Sequence, residues 1–207
     1  MLILICPGYN PPGGTRAFCR QLGELLQPQG AEIRTVPVPQ ITPYDGRGIL
    51  TLLTDLTRPV TFIGFSAGGV GAIAAARLWQ KQGGMIMGLV AIDGWGVPLG
   101  GNFPIHRLSH DAFTHWSSGL LGAGAMGFYA DPGVEHLQLW QAPETVWGWS
   151  VVGMERKDYI TALAFIGTML RSLPCNPANL DPVGQVKINS RKTPQNTDDS
   201  DPRTPLQ

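Results

Sequence analysis

The stretch that most constrains this chain is Gly64-Phe65-Ser66-Ala67-Gly68, because of what lies on either side of it. Before it, Pro59-Val60-Thr61-Phe62-Ile63 is a short apolar run rich in β-branched residues, the pattern of a buried strand. After it, Gly69-Val70-Gly71-Ala72-Ile73-Ala74-Ala75-Ala76-Arg77-Leu78-Trp79 is a helix of small residues. A serine held between glycines on a sharp strand-to-helix turn has its hydroxyl thrust outward, and glycine at both ends lets strand and helix pass closely. The helix amino end adds free N–H groups and a positive dipole where a negative oxygen would develop. With 27 glycines in 207 residues, such a string also arises by chance; the flanking strand and helix separate this one from a chance match.

The rest of the chain alternates in the same way. Leu2 to Cys6 reads as a strand closed by Pro7-Gly8, and Tyr9 to Gly14 as a loop. Thr15 is placed to cap a helix whose Phe18, Leu22, Leu25 and Leu26 share one face. Ala31 to Val38 is a second strand, and Ile49 to Leu56 an amphipathic helix. Beyond the serine turn, Met85 to Ile92 and Pro104 to Ser109 are strands, Ala112 to Leu121 a helix and Ala125 to Ala130 a sixth strand. One final helix, kinked near Gly148 or Gly153, is expected from Pro143 to about Leu173. Alternating strands and helices predict a doubly wound, mainly parallel α/β sheet of about six strands in the order second-first-third-fourth-fifth-sixth. Its order reverses beside the first strand, so a ligand site is expected beyond the carboxyl ends there, with Pro7 to Gly14 next to Ser66.

Composition narrows the function. Net charge is zero, so nothing marks a nucleic-acid or anionic-membrane surface. Three scattered cysteines, Cys6, Cys19 and Cys175, are too few for a disulfide framework or a zinc cluster and fit a reduced, cytoplasmic setting. The first residues lack a basic region and read as a strand, not a secretory signal. From Pro174 the chain turns polar, which predicts one domain over residues 1–173 and a disordered tail over 174–207.

The elbow, with the order and spacing of the elements, resembles the α/β-hydrolase superfamily in a small form without a lid. The resemblance spans Met1 to the final helix. It implies a serine nucleophile followed in chain order by an acid and a histidine. Two acids compete. Asp111 follows the fifth strand, with His136 in the loop after the sixth; Asp93 follows the fourth strand and again pairs with His136. Asp111 with His136 is the preferred pairing, because one helix and one strand between them return the chain to the same sheet edge. The plainer readings are a turn at Asp93-Gly94 and a helix cap at Asp111. His110 and His115 are the other candidate bases, and His106 and His115 read as structural. The resemblance makes the oxyanion hole from the N–H groups of Ala67 and Tyr9, although Cys6-Pro7-Gly8-Tyr9 stands where many members carry His-Gly.

Trp95, Phe113 and Trp116 are candidate substrate contacts, with Phe103 and Trp140 also near the expected rim, each equally a core residue. Only about ten residues separate Asp93 from Pro104, too few for a folded lid. The histidines lack a zinc-ligand spacing, and no cofactor is expected. The expected activity is hydrolysis of a small acyl ester or thioester. The rivals are a non-catalytic binding protein of the same fold and an acyl transferase or lyase working from the same site.

Overall fold

The protein's structure, a computed structural model, describes residues 1–27, 30–94, 96–122 and 124–173. The expected tail over 174–207 lies outside the described residues. Five strands come as the alternation predicts: β1 (Leu2–Cys6), β2 (Glu32–Thr35), β3 (Val60–Phe65), β4 (Ile86–Ile92) and β5 (Ile105–Ser109). With β6 (Met126–Ala130) they form the parallel part of one sheet, in the order β2-β1-β3-β4-β5-β6. The strands of the centre, β1, β3 and β4, are buried at every position, which is why they read as unbroken apolar runs instead of alternating ones.

Two apolar layers enclose that sheet. One packs α1 (Pro12–Leu26) and α6 (Ala162–Ser172) through Phe18, Leu22, Phe165 and Ile166. The other packs α2 (Gly46–Leu50) and α3 (Ala67–Lys81) through Ile49, Ala72, Ala76 and Trp79. The small residues of α3 permit a close approach: a Cβ on Gly71 would lie 2.1 Å from the Pro43 carbonyl oxygen. Asp45 caps α2, accepting from the N–H groups of Arg47 and Gly48 at 3.0 Å each.

Two expectations need correction. Thr15 does not cap α1, which begins at Pro12, a residue suited to a first helical turn because its missing N–H is not needed there. And the single helix expected over 143–173 is three elements. A short α5 (His136–Gln141) precedes a hairpin of β7 (Trp147–Val152) and β8 (Glu155–Thr161), and only then does α6 begin, capped by Thr161. The hairpin pairs antiparallel to β6, bringing the sheet to eight strands where about six were expected. Val152 pairs with Glu155, so the turn is Gly153-Met154, with Gly153 at φ 59°. Glycine with positive φ at the first position is what such a two-residue hairpin turn requires.

Candidate active site

Every group of the site stands at the carboxyl end of a strand or just beyond. Ser66 ends β3, with φ 53° and ψ −126°, a conformation that side-chain-bearing residues avoid and that this fold imposes from both sides. Its N–H donates to the Ile92 carbonyl at 2.9 Å, continuing the ladder to β4, while the Gly69 N–H turns back onto the Ser66 carbonyl at 2.9 Å to start α3. The flanking glycines are obligatory. A Cβ at Gly68 would lie 2.0 Å from the Cys6 carbonyl oxygen, and one at Gly64 2.7 Å from Gly69 Cα.

Asp93 occupies the equivalent place one strand over. Its N–H donates to Leu108 at 2.8 Å, and its φ of 51° turns the chain sharply at the end of β4. Aspartate tolerates this left-handed region better than most residues. The residue is 4% exposed, and three donors face its carboxylate. His136 Nδ1 lies 2.7 Å from Oδ2, the His110 backbone N–H donates to Oδ1 at 2.9 Å, and His110 Nδ1 lies 2.9 Å from Oδ1 and 2.8 Å from Oδ2. Both oxygens of this buried carboxylate thus have hydrogen-bond partners, as burial of such a group requires.

His136 opens α5. The Val134 N–H donates to the His110 carbonyl at 2.9 Å, tying the loop that carries His136 to the end of β5. The imidazole stacks on Phe65, the residue before the serine, at 4.7 Å between ring centroids, and Phe65 stacks in turn on buried Trp140. With Nδ1 committed to Asp93, Nε2 is the nitrogen left for other work. Ser66, Ala67, Asp93, His110 and His136, with Val70, Val97 and Thr114, line one cleft of about 250 Å³.

The structure therefore brings Ser66, His136 and Asp93 together and leaves the preferred acid, Asp111, elsewhere. Asp111 caps α4 (Ala112–Gly119), accepting from the Thr114 N–H at 2.6 Å. Desolvation is the largest single effect and pushes its pKa up, but the hydrogen bonds from Thr114 and the nearby His110 together outweigh it and hold the carboxyl below its ordinary range. Its one imidazole neighbour among the described residues is His110, with Nε2 at 3.6 Å. The helix-cap reading of His110-Asp111 accounts for Asp111, and the turn reading of Asp93-Gly94 understated what Asp93 holds.

The expected substrate contacts fare differently. Phe113 is 75% exposed and Trp116 borders a separate small cavity with His115 and Gly127, so neither lines the serine cleft. Phe103 and Trp140 are core residues, and Trp95 lies outside the described residues. Val70, Val97 and Thr114 take those places; nothing in the sequence pattern distinguished them from other apolar and capping positions. His106 and His115 are buried, as their structural reading implies, and desolvation pushes the pKa of each down to about 4.

The loop after β1 has its own bracing. Gly8 lies against the elbow, where a Cβ would come 2.8 Å from the Phe65 carbonyl oxygen and 3.0 Å from Ser66 Cβ. Asn10 Nδ2 donates to the Gly8 carbonyl at 3.1 Å, Thr15 Oγ1 donates to Asn10 Oδ1 at 3.0 Å, and Trp140 Nε1 donates to Thr15 Oγ1 at 3.3 Å. Gly8 C=O and Tyr9 N–H belong to one peptide unit, in which the two bonds point in opposite directions. Fixing the carbonyl thereby fixes the direction of the Tyr9 N–H. On the other side of the cleft, buried Arg107 donates to the carbonyls of Val97 at 2.9 Å and Gly122 at 2.5 Å, holding the segment that carries Val97.

No family model matches the chain, and no curated protein does. Among solved structures it is similar to a proposed hydrolase of the alpha/beta superfamily from Xanthomonas campestris pv. campestris. The identity is 20%, the match covers 54% of this chain and 72% of that one, and the TM-score is 0.36. A second, a flavone reductase, is 13% identical, with 58% of this chain and 49% of that one covered and a TM-score of 0.28. Neither likeness is close enough to bear on function. The chain's own strand order, parallel crossovers and elbow geometry give it an α/β fold of the α/β-hydrolase-like kind.

Proposed function

We propose that the protein is a serine hydrolase that cleaves a small acyl ester or thioester through an acyl-enzyme on Ser66. The observation that carries this reading is the convergence on one cleft of a serine at a strained elbow and a histidine whose Nδ1 is 2.7 Å from a buried aspartate. In the proposed reaction His136 Nε2 takes the Ser66 hydroxyl proton as Oγ bonds to the acyl carbon. The carbonyl electron pair moves onto oxygen, which accepts from the N–H groups of Ala67, at the start of α3, and Tyr9. Collapse breaks the bond to the alcohol or thiol, which leaves with the proton from His136. Water then repeats the sequence on the acyl-enzyme, with His136 again as base, and releases the acid. Asp93 keeps the imidazole in the tautomer that presents Nε2 as an acceptor and stabilises the imidazolium.

The dimensions of the cleft favour short acyl groups: about 250 Å³, walled by Val70, Val97 and Thr114, is at the small end for a ligand site. Turnover of a series of p-nitrophenyl esters and matching thioesters tests the reading. The expected result is hydrolysis that falls as the acyl chain lengthens and drops by roughly a thousandfold or more in Ser66→Ala and His136→Ala. Equal turnover by wild type and both variants would overturn it.

A further inference from the structure

Two imidazoles share the one carboxylate of Asp93, and that arrangement does more than orient a base. His136 Nδ1 and His110 Nδ1 lie 2.7 and 2.8 Å from the same oxygen, Oδ2. Orienting His136 needs only one of them. Among the described residues this is the one group of three His, Cys, Asp or Glu donors gathered this tightly, with all three ligand atoms within 4.8 Å of one another. The chemistry of the set is that of a transition-metal site: two neutral imidazole nitrogens and a carboxylate, with room on the cleft side for water to complete the shell.

We infer that Asp93, His110 and His136 form a binding site for a divalent transition ion, zinc above all, and that its occupation switches off the serine site. Zinc bonds of about 2.0–2.1 Å in a tetrahedral shell put ligand atoms roughly 3.3 Å apart. The present N–O spacings of 2.7 and 2.8 Å are proton-sharing contacts that must open by about half an ångström as the ion replaces the protons, while the two nitrogens, now within 4.8 Å of each other, settle at the same tetrahedral separation. Both histidine side chains are reachable from solvent, at 27% and 42% exposure, while the Asp93 side chain is 1% exposed. The ion would therefore enter from the cleft and meet the carboxylate last.

The consequence follows from proton bookkeeping on a neutral imidazole. With Nδ1–H bonded to Asp93, His136 Nε2 carries a lone pair that can accept the serine proton. A metal on Nδ1 takes that nitrogen's lone pair, so the Nδ1 proton leaves to solvent and Nε2 gains one. The ring stays neutral, but Nε2 is now a donor and cannot deprotonate Ser66. His110 undergoes the same exchange. The block is thus chemical: the acceptor lone pair on Nε2 is lost.

Metal binding stands on the donor geometry alone; only the inhibition rests on the serine-hydrolase reading, and the two are separable by experiment. Co(II) titrated into the full chain carrying Ser66→Ala should give the visible absorption of a low-coordinate nitrogen–oxygen site, displaced by Zn(II). His110→Ala should weaken binding by about tenfold or more, since even an outer-shell partner of a metal site acts on that scale. Nitrogen NMR of the otherwise unaltered protein, labelled at histidine, provides a check that needs no substitution at the ligands. Zinc should move the Nδ1 signals of His110 and His136 and leave both Nε2 atoms protonated. In wild type, zinc should slow fluorophosphonate labelling of Ser66 and a chelator should restore it. Absence of the cobalt spectrum, a thiolate-to-cobalt band in the near ultraviolet, or unchanged Nδ1 signals would overturn the site. Binding as described with labelling unaffected would overturn only the inhibition.

Discussion

At the scale of single residues, the account turns on which carboxylate serves His136. Asp93 is buried and touches the imidazole; Asp111 spends its charge on the amino end of α4. The two substitutions therefore separate cleanly. Asp93→Asn should lower kcat/KM by about a thousandfold or more, since an amide no longer fixes the tautomer. Asp111→Asn keeps a capping side chain and should leave kcat/KM within about twofold, with a stability change of a few tenths of a kcal/mol. Ester kinetics on both folded variants checks this. Asn10 gives a second residue-scale prediction. Asn10→Ala frees the Gly8 carbonyl and with it the Tyr9 N–H, so kcat should fall by roughly tenfold to a hundredfold with KM little changed, short of the loss of a whole oxyanion donor. A fall in kcat/KM that is all KM would contradict the loop's proposed role.

At the scale of elements, the elbow was readable because its constraint is local. Glycine on both sides of Ser66 is demanded by contacts at 2.0 and 2.7 Å, and no other residue type meets them. Gly68→Val should accordingly cost well over 3 kcal/mol and prevent formation of the native sheet, measured by denaturant unfolding or loss of soluble protein. The β7–β8 hairpin was not readable for the opposite reason. β8 is Glu155-Arg156-Lys157-Asp158-Tyr159-Ile160-Thr161, a sheet edge with its charges facing water, and it carries no alternating apolar signal. Gly148 and Gly153 were read as helix kinks, when Gly153 is the hairpin turn and Gly148 lies where a Cβ would meet the Tyr129 carbonyl oxygen at 2.0 Å. The choice between Asp93 and Asp111 was illegible for a related reason. Both follow a strand, and what separates them, the sharp turn at Asp93 and the loop that His110 anchors, is tertiary and leaves no mark in the pattern of residues.

For the whole molecule, the buried histidines contribute to the response to acid. His106 and His115 are each held near a pKa of about 4 by desolvation, against 6.5 ordinarily. Nδ1 of each is buried without a hydrogen-bond partner among the described residues, so protonating it inside the fold is costly. The unfolded chain binds these protons near pH 6.5 and the folded chain only near 4, so the stability they contribute is complete above about pH 6.5 and lost as pH falls toward 4. Thermal midpoints should drop across that window, and His106→Leu or His115→Leu should flatten the drop by an amount on the order of a few kcal/mol at its lower end. No described helix is long and apolar enough to cross a membrane, and the cleft beyond the sheet's carboxyl ends opens to water without a covering domain among the described residues.

Every catalytic role proposed for the cleft depends on Ser66 being a nucleophile made reactive by His136. Intact-mass measurement after treatment with a fluorophosphonate tests it most directly. The account predicts a single adduct on folded wild-type protein, mapped to the peptide containing Ser66, absent in Ser66→Ala and formed at least a hundredfold more slowly in His136→Ala. Folded wild-type protein that takes up no adduct, or takes it up equally when Ser66 is replaced, would contradict it.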